Sequence, residues 1–89
     1  MEQRRKQTKQ VTYSHEHVNK VVGEFLKELR LKRDINIEIL AKRIKRSVSY
    51  MEKIENGTRG VGMIEFLDLV EALEVKPEDP VREVLARLG

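Results

Sequence analysis

Few side chains in this sequence are grouped at spacings suited to coordinating a metal ion or to acid–base chemistry. His15 and His17 form a His-x-His pair that could contact a metal, but no third ligand stands near them at a ligand spacing. Glu52 and Glu55 stand one helical turn apart, and we interpret them as non-catalytic charged residues rather than as an acid–base pair. No nucleophile stands beside a base, and no glycine-rich phosphate loop is present. We therefore expect no enzymatic activity, no metal site and no cofactor.

Positive charge is the more informative feature. The 89-residue chain has 18 Lys and Arg against 15 Asp and Glu, a formal net charge of +3. The basic residues are concentrated in two stretches, which contain Arg4, Arg5, Lys6 and Lys9, and Lys42, Arg43, Lys45 and Arg46. Acidic residues are concentrated between positions 65 and 79. A basic face suits a polyanion such as nucleic acid, and an ordinary mixed-charge surface remains the alternative.

Five amphipathic helices must position these side chains. Apolar residues repeat at helical spacing in segments that run from about 16 to 33, 36 to 43, 47 to 56, 63 to 73 and 79 almost to the last residue. Asn36, Ser47 and Asp79 are predicted N-caps, and Pro80 is predicted to be the first residue of the last helix. No segment alternates like a strand. The pattern predicts an all-α fold in one compact domain.

The predicted helices bury one apolar stripe each. The stripe of the third helix contains only Met51 and Ile54, so most of its surface is left polar. The fourth stripe is predicted to contain Met63, Phe66, Leu67, Val70 and Leu73, and the fifth Val81, Val84, Leu85 and Leu88. The fifth stripe either closes the core or forms a seam between two copies of the chain.

The segment before the first helix differs from the rest. Residues 1–16 lack apolar periodicity, so we predict a basic, flexible N-terminal arm there and a single domain over 17–89. The arm either contacts nucleic acid or is an untethered tail. No apolar run approaches the roughly 18 residues of a membrane span, and the first residues have no signal-peptide core. Since the chain also has no cysteine, we expect a soluble cytoplasmic protein with no membrane partner.

Three segments together carry a resemblance to a known family. They are NIEILAKRI at 36–44, SVSYMEKIENGTR at 47–59 and GMIEFLDLVEALEVKPED at 62–79. In these segments the chain resembles the helix-turn-helix domain of the Cro and repressor-like (XRE) transcriptional regulators of bacteria and phages, over roughly residues 18–80. The resemblance implies a five-helix, lambda-repressor-like DNA-binding domain whose third helix enters the major groove of double-stranded DNA.

The resemblance also implies roles for individual residues. The base-reading positions of the third helix fall on Val48, Ser49, Glu52 and Lys53. The phosphate contacts fall on Asn36, Asn56, Thr58 and Arg59, with Arg43, Arg46 and Tyr50 close enough to join them. Arg30 and Glu55 are expected to form a partly buried ion pair that fixes the third helix to the core.

The sequence departs from the family pattern at four positions. Lys45 stands where a glycine with positive φ is usual, which costs about 1 kcal/mol if the turn keeps its path. Arg46 replaces a common apolar residue. Ile37 stands where a phosphate-contacting glutamine is usual, and Ile39 where a charged residue is usual. These changes add positive charge to the turn and remove a polar contact at the start of the second helix.

The resulting hypothesis is a sequence-specific DNA-binding regulator, most simply a repressor. It would act as a homodimer by occupying an operator, without a small-molecule ligand, and it would be associated with the nucleoid when bound. The alternative is a protein-interaction module on the same fold, such as an antitoxin-like or accessory protein with weakened DNA readout. In that case Ile37 and Ile39 would form its contact patch.

Overall fold

Five α-helices follow one another in the computed structural model, which describes residues 11–76 and 78–89. They are α1 (His15–Lys32), α2 (Ile37–Arg43), α3 (Val48–Glu55), α4 (Met63–Ala72) and α5 (Glu78–Leu88). The described residues contain no strand, so the predicted all-α class with five helices is confirmed. Most of the predicted N-terminal arm lies outside the described residues, and α1 already begins at His15. No helix in the described parts of the chain is long and apolar enough to cross a membrane.

Side chains cap the N-termini of the first three helices. The Oγ of Ser14 accepts a hydrogen bond from the His17 backbone N–H at the start of α1. Asn36 and Ser47 are the N-caps of α2 and α3, as predicted, and each accepts from the N–H three residues later. These bonds satisfy N–H groups that the first turn of a helix leaves without an intrahelical partner.

The predicted cap of α5 is wrong. The helix begins at Glu78, so Asp79 lies inside its first turn and Pro80 is its third residue. Proline lacks an N–H and has a fixed φ, so it is tolerated throughout the first turn and does not by itself mark the first residue. The carboxylate of Asp79 still stands at the positive end of the helix dipole.

Four of the helices end at a residue in the left-handed conformation. These residues are Asp34, Lys45, Gly57 and Glu74, with φ of 59°, 58°, 81° and 58°. After α2, for example, the N–H of Lys45 donates to the Lys42 carbonyl (3.1 Å) and the N–H of Arg46 to the Ala41 carbonyl (2.9 Å). The ends of α1, α3 and α4 have the same pair of bonds. This is the Schellman motif, and here only one of its four instances uses glycine.

The core lies where α1, α2, α3 and α4 meet. Its completely buried side chains include Leu26, Leu40, Met51, Ile54, Leu69 and Leu73. The predicted stripe of α3 is confirmed, but that of α4 is partly wrong, because Met63 and Leu67 are exposed and Leu69 is buried in their place. Apolar residues stand on several faces of α4, so its periodicity did not determine which face turns inward.

α1 and α3 approach each other closely at Gly23. A Cβ atom at this position would overlap the carbonyl oxygen of Ile54 and lie 3.1 Å from that of Glu55. Gly23 therefore allows the backbone of α1 to reach the last turn of α3. This contact determines how α3 is held against the core.

α5 packs against α1, and Arg87 links the two helices. The Arg87 guanidinium bonds to the Glu28 carboxylate (Nη2 to Oε1, 2.7 Å) and to that of Glu83, and it lies 5.0 Å from the centre of the Phe25 ring. Bonding to Arg87 lowers the pKa of Glu28 below its ordinary value. Glu28 therefore adds stability above its unfolded-state pKa, and that stability is lost as the pH falls through the folded-state value.

The apolar stripe of α5 is only partly covered. Val81 is 47% exposed and Leu85 is 55% exposed, whereas Pro80 is buried. The stripe thus closes little of the core in the single chain.

We expect Gly23→Ala to destabilise the fold by about 1–3 kcal/mol, because the added methyl group overlaps backbone atoms that cannot rotate away. The better helix propensity of alanine offsets only about 1 kcal/mol of this cost. Urea unfolding followed by circular dichroism measures the change. Gly60→Ala is the matched control, since the atoms nearest to a Cβ there belong to the Asn19 side chain, which can rotate away. A Gly23→Ala variant as stable as the parent would contradict the close packing of α1 and α3.

Candidate nucleic-acid interface

The turn between α2 and α3 has the positive φ that the family resemblance led us to expect, although it lacks glycine. Lys45 adopts φ of 58°, and the two backbone bonds of the Schellman motif close the end of α2 around it. Arg46 and Ser47 then lead into α3, which packs against α2. We expected Lys45 either to be strained or to force the turn onto another path. The structure shows the first: Lys45 adopts the left-handed conformation.

α3 has one buried face and one polar, exposed face. Met51 and Ile54 are completely buried. Ser49, Glu52 and Lys53 are exposed, and their spacing of three and four residues places them side by side on the opposite face. Val48, the fourth predicted base-reading residue, is half-buried and packs against the core. The structure therefore brings together three predicted base-reading side chains in solvent and leaves the fourth partly covered.

Two arginines converge on the ring of Tyr50. The guanidinium of Arg46, from the turn, lies 4.8 Å from the ring centre, and that of Arg59, from the loop after α3, lies 4.6 Å from it. Tyr50 itself is 9% exposed. It serves mainly as an aromatic platform, since a guanidinium over an aromatic face is attracted by the ring quadrupole. The platform joins residues that are thirteen positions apart into one positively charged cluster.

The loop after α3 is ordered by Asn56. Its Oδ1 accepts hydrogen bonds from the Thr58 N–H (3.0 Å) and from the Thr58 hydroxyl (2.7 Å). Both residues are exposed and precede Arg59, so three predicted phosphate-contacting residues stand together at the end of α3. Asn36 is exposed at the start of α2, where its Oδ1 caps the helix and its Nδ2 is the atom able to donate outward.

Arg43 is bound elsewhere in the structure. Its Nη1 donates to the carbonyl of Ala72, the last residue of α4, at 2.8 Å. The last turn of a helix carries unpaired carbonyl groups and the negative end of the dipole, both of which attract a cation. Of the predicted phosphate-contacting residues, Arg43 is thus engaged by α4, and Tyr50 is covered by its two arginines.

Two residues beside the interface were not predicted from the sequence. Lys20 of α1 lies against Gly57, where a Cβ would be 2.8 Å from the Lys20 Cγ, so a further basic residue borders the loop after α3. Glu65 of α4 bonds to Arg46. Nothing in the sequence indicated that either residue would border the interface.

The expected ion pair between Arg30 and Glu55 is formed. Arg30 Nε donates to Glu55 Oε2 (2.7 Å) and Nη2 to Oε1 (3.0 Å), with side chains 10% and 6% exposed. Arg30 Nη1 also donates to the carbonyl of Ile35 (2.9 Å). The hydrogen bonds that Arg30 donates to Glu55 raise the pKa of Arg30 above its ordinary value. One guanidinium therefore links α1, the connection to α2 and the last residue of α3.

His15 and His17 are both exposed in the first turn of α1. Within residues 11–76 and 78–89, no three His, Asp or Glu side chains are grouped so that they could hold a metal ion.

We expect Glu55→Gln to lower the free energy of unfolding by about 3 kcal/mol, because it leaves the buried charge of Arg30 without its counter-ion. Chemical denaturation monitored by circular dichroism measures this change. Glu52→Gln is the matched control: it removes the same charge from an exposed position one turn earlier, and its effect should stay within about 0.5 kcal/mol. Equal stabilities of the two variants would mean that the pair does not hold α3.

Solved structures of three regulators share this arrangement of helices. The clp gene regulator ClgR from Corynebacterium glutamicum is 19% identical over 81% of this chain and 94% of that chain, with a TM-score of 0.75. The restriction-modification controller protein C.AhdI from Aeromonas hydrophila is 31% identical over 70% of this chain and 94% of that chain, with a TM-score of 0.66. The controller protein C.Esp1396I, solved as a tetramer with its natural operator, is 20% identical over 80% and 93%, with a TM-score of 0.73.

A comparison with curated proteins found no match. A family model described as a helix-turn-helix domain matches residues 21–84, which contain α2, the turn and α3. Because the match spans most of the chain, and because the geometry of the two helices agrees with it, this chain belongs to the helix-turn-helix domain family.

Proposed function

We propose that this chain is a transcription regulator that binds double-stranded DNA sequence-specifically by inserting α3 into the major groove. The observation that carries the proposal is the exposed face of α3, formed by Ser49, Glu52 and Lys53, while the opposite face is held in the core. A helix presented in this way can bring its side chains to the base edges. The role is binding rather than catalysis, and it requires no cofactor or small-molecule ligand.

The side chains of α3 differ in the base edges that they suit. Lys53 can donate to guanine O6 and N7, and Glu52 can accept from the amino group of cytosine. Ser49 can both donate and accept, so it is less selective. The uncovered part of Val48 can pack against a thymine methyl group. Lys53 and Glu52 should therefore supply most of the sequence preference.

The groups that flank α3 suit phosphates. Arg46 and Arg59 are held over Tyr50 on one side, and Asn56 and Thr58 form an ordered loop at the end of the helix. Asn36 adds a donor at the start of α2. In this proposal Tyr50 acts as a platform for the two guanidinium groups, and Arg43 can reach a phosphate with the donors that its Nη1 bond to the Ala72 carbonyl leaves available.

Two neighbours support a regulatory role. C.AhdI is a restriction-modification controller protein, and C.Esp1396I was solved as a tetramer on its natural 35-base-pair operator. By analogy, we expect this chain to occupy an operator and thereby control transcription, most simply as a repressor. Such a regulator acts where the DNA lies, so the proposal places it in the cytoplasm, on the nucleoid when bound.

Exposed apolar residues support a homodimer. Met63, Ile64 and Leu67 of α4 and Val81 and Leu85 of α5 are each at least 47% exposed. Two helix-turn-helix units related by a two-fold axis would meet half-sites about 34 Å apart. Since the apolar stripe of α5 closes little of the core, a second copy is the partner that we expect to cover it.

The alternative of a protein-interaction module is weakened by the position of Ile37. This side chain is half-buried and packs against the core, whereas Ile39 is exposed. The proposed contact patch is thus reduced to a single exposed isoleucine, and single exposed apolar residues are common on protein surfaces.

Lys53→Ala and Arg59→Ala should affect DNA binding in different ways. We expect Lys53→Ala to relax the preference at one base pair, equivalent to about 1–3 kcal/mol of lost discrimination. Arg59→Ala should weaken binding to all sequences alike and make the slope of log K against log salt shallower by about 0.9. Selection from a random-sequence duplex library followed by sequencing measures the first effect, and salt titration measures the second. If the parent protein shows no salt-dependent DNA binding, the proposed function is wrong.

Leu85→Glu should produce a monomer, because it places a charge in the apolar seam. We expect half-site avidity to be lost and DNA affinity to fall by about 100-fold. Sedimentation velocity reports the oligomeric state, and fluorescence anisotropy reports the affinity. Ala86→Glu introduces the same charge at the next exposed position of α5 and should leave both properties nearly unchanged. A Leu85→Glu variant that stays dimeric would rule out this seam.

A further inference from the structure

A carboxylate stands inside the positively charged cluster beside α3. Glu65 Oε2 lies 3.2 Å from Arg46 Nη2, and their side chains are 29% and 43% exposed. Glu65 belongs to the first turn of α4, so it comes from a helix that contributes nothing else to the predicted interface. The cluster therefore contains two guanidinium groups, one aromatic platform and one opposing negative charge.

We propose that Glu65 limits the affinity of this protein for DNA by occupying Arg46 as an internal substitute for a phosphate. The inference rests on the proposed function. In the free protein Glu65 compensates the charge of Arg46. When DNA binds, a phosphate must either displace this carboxylate or share the guanidinium with it.

Sharing the Arg46 guanidinium with a phosphate and displacing Glu65 from it are both unfavourable. A guanidinium has five N–H donors, so a phosphate can bind Arg46 while Nη2 remains on Glu65. The phosphate then lies within the width of one guanidinium from the carboxylate, and the two negative charges repel each other. Displacing Glu65 avoids this repulsion but breaks the existing ion pair.

Glu65 is also held from its other side. It is the third residue of α4, whose N-cap is Gly62, a residue without a side-chain cap. A Cβ at Gly62 would overlap Glu65 Oε1, so the carboxylate folds back over the start of its own helix. The positive end of the helix dipole favours an acidic group there. The start of α4 therefore favours the position of the Glu65 carboxylate next to Arg46.

Glu65→Gln tests the proposal. Glutamine has nearly the same volume and suits the third position of a helix, so α4 keeps its start. With a random-sequence duplex about three helical turns long, we expect binding to tighten by about 3- to 10-fold at low salt, and the gain to shrink at high salt. The slope of log K against log salt should become steeper by up to about 0.9, because Arg46 then acts as a full counter-ion for phosphate.

Two controls isolate the local effect. Glu78→Gln changes the net charge equally at an exposed position of α5 and should alter affinity by less than about twofold. In an Arg46→Ala background, Glu65→Gln should lose most of its effect, which a double-mutant cycle measures. Thermal unfolding of every variant verifies that it is folded.

The outcomes separate the two proposals. If the parent binds the duplex with steep salt dependence and Glu65→Gln binds no tighter, the inference about Glu65 is overturned while the proposed function stands. Weaker binding by Glu65→Gln would instead make Glu65 a positioning residue for Arg46 and would also overturn the inference. If the parent does not bind the duplex even at low salt, the proposed function fails and the inference fails with it.

Discussion

The orientation of α3 depends on its contact with α1. Gly23 lets the two backbones meet at Ile54, and the bidentate pair between Arg30 and Glu55 lies next to that contact. Apolar burial alone would allow α3 to slide or rotate by a fraction of a turn, since a stripe of two residues is narrow. A buried pair with fixed geometry restricts such movement, although desolvation of the two charges cancels much of its contribution to stability. The third bond of Arg30, to the Ile35 carbonyl, extends the same restraint to the connection between α1 and α2.

The basic stretch at the end of α2 and in the turn does not act as one patch. Arg43 is bound to the end of α4 and Arg46 to its beginning, so α4 holds two of the four basic residues between 42 and 46. Because Glu65 compensates the charge of Arg46, the basic stretch carries less uncompensated positive charge than its sequence indicates. The groups that remain close to α3 are held in place by the Tyr50 ring or by the hydrogen bonds of the loop after α3.

Local patterns predicted much of this fold because they are encoded within a few residues. Asn36 and Ser47 cap their helices as the sequence indicates, and Met51 and Ile54 are buried at the spacing of one helical turn. Prediction failed where the pattern was ambiguous, as in α4, where apolar residues cover several faces.

Contacts between segments that are distant in the sequence were the other limit on prediction. The pair of Arg30 and Glu55 was expected only because the family resemblance implied it. Nothing equivalent indicated that Glu65 would meet Arg46, since this contact depends on how α4 lies against the turn. At the interface, residue types and helical period predicted the exposed face of α3. They did not predict which arginines would be bound by other parts of the chain.

The four Schellman motifs have an evolutionary consequence. Backbone bonds complete the motif whatever the side chain, and Asp34, Lys45 and Glu74 adopt the left-handed conformation at a cost of about 1 kcal/mol each. A stability margin of about 5–15 kcal/mol, usual for small domains, can absorb such costs. The residue in the helix-turn-helix turn is therefore free to drift from glycine to a charged residue without loss of the fold. Lineages with this architecture can change the charge of the turn one substitution at a time while the recognition helix keeps its place.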